Sequence, residues 1–88
     1  MRNTPRVSVD DVMMVSAVRY ALGRMSYIVG WTVDETIRVW DSMSPNTKQV
    51  IERDVRRAKD EGVVGMPIDG EAWDKLLRHI DTEKEQHT

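Results

Sequence analysis

Apolar positions crowd the first part of the chain and thin into stripes after it. From Val9 to Leu22 they fall at Val9, Val12, Met13, Met14, Val15, Ala17, Val18, Tyr20, Ala21 and Leu22, on nearly every side of a helix. Ser8 and Asp11 stand at capping-box spacing ahead of this run, and Asp10 and Asp11 suit the positive end of a helix dipole. The pattern predicts a central helix with neighbours on several sides. A strand over Val12 to Val15 is the competing reading; length and caps favour the helix. Gly23 ends this helix or admits another backbone closely. Met25 to Val29 reads as a turn leading into helix, with Gly30 as a kink.

Thr32-Val33-Asp34-Glu35 forms a second capping box, so the next helix is expected to start at Thr32. Val33, Ile37 and Trp40 give it one apolar face, and it ends near Ser42 or Met43. Ser44-Pro45 places an N-cap serine before proline at the first helical position. The third helix then runs to about Glu61, with Gly62 as its C-terminal cap. Its stripe of Val50 or Ile51, Val55 and Ala58 is narrow, which predicts a surface helix. Val63 to Ile68 is an apolar strap across the core. Asp69 caps a last helix from Gly70 to about Asp81, carrying Ala72, Trp73, Leu76, Leu77 and Ile80 at helical spacing.

These elements predict an all-α fold, a compact array of about four helices in one small domain spanning residues 1–88. Residues 1–7 are expected as a loose arm and residues 82–88 as a frayed tail. An 88-residue chain has a thin core, and with no cysteine it has neither a disulfide nor a thiolate zinc site. Association with a second copy or a protein partner is the remaining support. The longest run with few charges, Val12 to Val33, would carry Arg19 near bilayer mid-depth, so no membrane span or membrane partner is expected. Nor is a signal peptide expected at Met1 to Arg6. Thirteen Lys and Arg against fifteen Asp and Glu leave a formal charge of −2, which disfavours a general nucleic-acid coat without excluding a local basic face.

Charge chemistry concentrates on arginine. Arg19 lies in the most apolar segment, between Val18 and Tyr20, and must find a partner or reach water. An ion pair to Asp54 is one reading; the other is a receptor, with Arg24, for an anion or a partner's carboxylate. Lys48, Arg53, Arg56, Arg57 and Lys59 make the third helix the most basic element. Arg53 and Arg57 repel at i, i+4 unless an acidic partner relieves them, while Glu52–Arg56 and Arg57–Glu61 form ordinary i, i+4 pairs. Trp40 and Trp73 belong to the core. Trp31 is either an interface anchor or a staple beside the Thr32 cap. The methionines fill the core or make an adaptable surface.

For catalysis the inventory is poor. His79 and His87 are the only histidines, and no nucleophile–histidine–carboxylate set assembles. Asp69-Gly70-Glu71 lacks the alternating ligands of a calcium loop. No metal, cofactor or enzymatic activity is expected. A weaker enzymatic reading would need one cavity joining Tyr20 or Tyr27 to Asp54.

The string Arg19-Tyr20-Ala21-Leu22-Gly23-Arg24-Met25-Ser26-Tyr27-Ile28-Val29, with Trp40, Ser44-Pro45-Asn46-Thr47 and Ile51-Glu52-Arg53-Asp54-Val55, resembles small uncharacterised proteins of tailed bacteriophages and prophages. The resemblance covers residues 9–57. It implies a phage origin, the cytoplasm of a bacterial host, and one constellation of Arg19, Tyr20, Arg24, Tyr27, Arg53 and Asp54. It implies no activity. Small phage proteins of this kind often bind a host protein, and some block host defences such as CRISPR nucleases. The expected function is therefore a non-enzymatic accessory protein that binds and modulates a bacterial host protein, using Arg19, Arg24, Tyr27, Trp31, Arg53 and Arg57. The alternative is a nucleic-acid or nucleotide-binding protein with an anion pocket built from the arginines.

Overall fold

A computed structural model describes residues 9–24, 27–63, 65, 67–68 and 70–86, with side chains at all of these but 9, 10 and 27. The fold is all-α: α1 (Val9–Leu22), α2 (Tyr27–Val39), a 3-10 turn (Trp40–Ser42), α3 (Pro45–Glu61) and α4 (Gly70–Gln86). Among the described residues no strand segment forms. The main packing contacts close a ring, in which α1 and α4 each pack on both α2 and α3. Inside it lie Val18, Ala21, Leu22, Val29, Val33, Trp40, Ile51, Val55, Trp73, Leu76 and Ile80. With no phenylalanine in the chain, Trp40 and Trp73 supply the bulk, and both are fully buried.

Local chemistry sets the start and stop of α3. Ser44 is extended, Pro45 follows at the first helical position, and the Thr47 amide donates to the Ser44 hydroxyl at 3.3 Å. Gly62 closes the helix at φ 77°, its amide donating to the Ala58 carbonyl at 2.7 Å. Ile51, Val55 and Ala58 face inward as the stripe predicts, and Thr47 joins them. Val63 and Ile68 rest against the core. The predicted arm 1–7 and the Asp69 cap lie outside the described residues.

Three expectations are corrected. First, α2 begins at Tyr27, not Thr32. Val29 and Val33 stand one turn apart on the buried face, and Thr32 and Thr36 are buried beside them. The Thr36 hydroxyl donates to the Thr32 carbonyl at 2.7 Å, so its polar group is satisfied within the helix. Burial of that stripe outweighs the capping preference of Thr32, and Gly30 becomes a helix-interior residue.

Second, α4 runs to Gln86, so most of the expected frayed tail is helix. Glu83 accepts from the Trp40 indole at 2.8 Å and from Lys48 at 3.2 Å, and Lys84 donates to Glu52 at 2.7 Å. These contacts tie the last turn to the 3-10 turn and to α3. Third, α1 is not enclosed. Val18, Ala21 and Leu22 are buried, but Val12, Met13 and Tyr20 are more than half exposed.

Candidate functional site

The expected site residues divide between the two flanks of α1. On the flank toward α3, Arg19 Nε donates to Asp54 Oδ2 at 2.8 Å, and Arg53 reaches the other oxygen of Asp54 at 3.7 Å. Arg57, one turn beyond Arg53, pairs loosely with Glu61 at 3.9 Å. The internal-pair reading of Arg19 thus describes its geometry, yet the pair is not a sealed one. Arg19, Arg53 and Arg57 keep 56%, 65% and 72% of their side chains exposed, against 17% for Asp54. One half-buried carboxylate is thus shared by two guanidinium groups with a third nearby.

Beside this cluster run two shallow depressions. One, of about 320 Å³, is lined by Val12, Val15, Ser16, Arg19, Asn46, Thr47 and Val50. The other, of about 270 Å³, continues past Arg19 along Leu22, Asp54, Arg57 and Gly62. Arg19 borders both, so they form one furrow between α1 and α3 with an apolar end and a charged end.

On the flank toward α2, Met13, Met14, Val39 and Met43 line a groove of about 330 Å³ with Asp11, Glu35, Arg38 and Ser42. Arg38 makes two hydrogen bonds to Glu35, at 3.0 and 2.8 Å. Those bonds hold the Glu35 carboxyl below its ordinary range. Trp31 lies one turn before Glu35 on the outer side of α2 and is 62% exposed. It is no staple, because it sits inside the helix. Arg24 stacks over the Tyr20 ring, 4.3 Å from its centroid, away from Asp54. The Tyr27 side chain lies outside the described residues.

Two polar residues matter to the fold in ways the sequence reading missed: Asp11, expected only as a helix-start residue, and Glu83, expected in the frayed tail. Asp11 is buried, and its Oδ2 accepts from the Ser44 amide at 3.2 Å and the Thr47 hydroxyl at 3.0 Å. It latches α1 onto the cap of α3. The signal was its register: Asp11, Val18 and Leu22 share one stripe at i, i+7, i+11. Glu83 was the other. Burial pushes its carboxyl up, but hydrogen bonds from Trp40 and Lys48 more than offset this, so it titrates below the ordinary range. Glu83 extends the Leu76–Ile80 stripe by one more turn, which was readable.

For catalysis the geometry offers little. Tyr20 does not line the furrow beside Asp54. Among the described residues no group of three or more His, Asp and Glu side chains is placed to hold a metal ion. Nor is any helix among them long and apolar enough to cross a membrane. No known protein-family model, curated protein or solved structure matches the chain.

Proposed function

We propose that the chain is a non-enzymatic, phage-encoded accessory protein that binds a bacterial host protein through the α1–α3 furrow. The observation that carries this reading is the surplus of exposed guanidinium at its charged end. Arg19 and Arg57 line that end and Arg53 reaches its Asp54 from the rim, three guanidinium groups beside two carboxylates, Asp54 and Glu61. A partner's carboxylate fits there as a rim contact, while an apolar side chain fits the Val12–Val15–Val50 end. An acidic protein segment with one apolar anchor matches both ends. A polyphosphate matches less well, because Asp54 and Glu61 would oppose it and no aromatic side chain among the described residues lines the furrow.

The test is capture of tagged protein complexes from bacterial lysate, with and without nuclease, comparing wild type with Arg53→Glu and Arg57→Glu. Both arginines are exposed, so the variants should keep their helix content. One host protein retained after nuclease and lost with either variant is the expected result. Recovery that disappears with nuclease replaces this reading with nucleic-acid binding. A partner held equally by all three proteins removes the furrow as the site.

A further inference from the structure

α1 is apolar around its circumference, and among the described residues α2 and α3 pack on it while Val12, Met13 and Tyr20 stay more than half exposed. A helix of that kind is ordinarily buried on all sides. On the flank toward α2, Met13, Ala17 and Tyr20 stand at i, i+4, i+7 and make one stripe. On α2, Trp31, Glu35 and Arg38 repeat the same spacing. The two helices pack side by side, and Met13 shares a groove with Glu35 and Arg38, so the stripes adjoin.

Met13 and Tyr20 on the α1 stripe and Trp31 on the α2 stripe are exposed, and the Glu35–Arg38 pair continues the α2 stripe beside Met13. Met13, Tyr20 and Trp31 are 61%, 57% and 62% exposed, and a concentration of exposed large apolar side chains is often functional. A stable dimer needs about 800 Å² from each partner. Met14, Val39, Glu35 and Arg38, which line the groove with Met13, widen the face toward that size.

We infer that the occupant of this face is a second copy of the chain, related by a two-fold axis. A two-fold interface sets a patch against itself and therefore needs self-complementary charge. The Glu35–Arg38 pair meets that need: it carries one carboxylate and one guanidinium within a turn of each other. In a two-fold pair, Arg38 of each copy meets Glu35 of the other. A partner of a single charge sign would be opposed by one of the two.

None of Met13, Tyr20, Trp31, Glu35 and Arg38 lines the furrow, so the two readings stand or fall separately. The experiment is sedimentation equilibrium over a dilution series, with circular dichroism to verify folding. Wild type should sediment with dimer mass, and Trp31→Glu should raise the dissociation constant by at least about tenfold, as loss of a central anchor does, with helix content kept. Glu35→Arg and Arg38→Glu should each weaken the dimer, and the double variant carrying both should restore it. Arg53→Glu should leave it unchanged. Wild type that is monomeric at every soluble concentration overturns the dimer, whether or not it still captures a host protein. Dimer mass that persists in Trp31→Glu, or a double variant no better than its singles, overturns this interface. A dimer that captures no host protein supports the inference and counts against the furrow alone.

Discussion

The seam between α3 and α4 and the outer side of α1 are built on opposite principles. Along the seam, buried Ile51, Val55, Leu77 and Ile80 are flanked by charge pairs. Arg56 bonds both Glu52 and Asp81, Lys84 bonds Glu52, and Lys59 bonds Asp74. The apolar surface is covered and the rim is charged. The outer side of α1 reverses this: Met13 and Tyr20 are exposed, and the charges beside them are Arg24 over the Tyr20 ring and the Glu35–Arg38 pair in the groove with Met13. The seam is complete within one chain. The outer side of α1 has the composition of a surface that another molecule completes.

That contrast can be broken by substitution. The largest effect should come from the covered core. Trp73→Ala or Trp40→Ala should cost about 3–5 kcal/mol, enough to unfold much of a small domain, as read by chemical denaturation. Asp11→Ala comes next. It removes a buried carboxylate that accepts from the Ser44 amide and the Thr47 hydroxyl, and should cost about 2–3 kcal/mol. Gly62→Ala, placing a Cβ at φ 77° and ψ −178°, should cost about 1–3 kcal/mol. Gly30→Ala should stabilise α2 by up to about 1 kcal/mol, since a Cβ there meets nothing within 4 Å.

The rim of the seam should also respond to acid. Burial raises Glu52, but hydrogen bonds from Lys84 and Arg56 lower it further, so its folded value lies below the ordinary 4.5. Glu83 shifts the same way. Their contribution is therefore full above pH 4.5 and is lost as pH falls through the lower folded values. Stability measured by denaturation from pH 6 downward should decline there. Glu52→Gln with Glu83→Gln should flatten that decline. The smallest effect belongs to the other surface: in monomer at high dilution, Met13→Ser should change stability by no more than about 0.5 kcal/mol.

What was legible in the sequence was local. Ser44-Pro45, Gly62 and the pairs Glu52–Arg56 and Arg57–Glu61 depend on neighbours within one turn, and each sits as its spacing implies. Trp40 and Trp73 were readable from their stripes. Thr32 misled because cap chemistry and burial competed for one residue, and burial of Val29 and Val33 prevailed. The last turn of α4 misled because its anchors, Trp40, Lys48 and Glu52, are distant in sequence. α1 misled in a different way. Its pattern asks for neighbours on all sides, and among the described residues α2 and α3 leave Val12, Met13 and Tyr20 exposed. The arginines were readable as a group, but their division between Asp54 on one flank and Tyr20 on the other needed the fold.

Thermal unfolding followed by circular dichroism across a wide range of protein concentration tests most directly whether the outer side of α1 is completed by association. A dimer that unfolds to separate chains gains stability by mass action, so Tm should rise with concentration in wild type and far less in Trp31→Glu. A Tm independent of concentration in wild type would contradict the account.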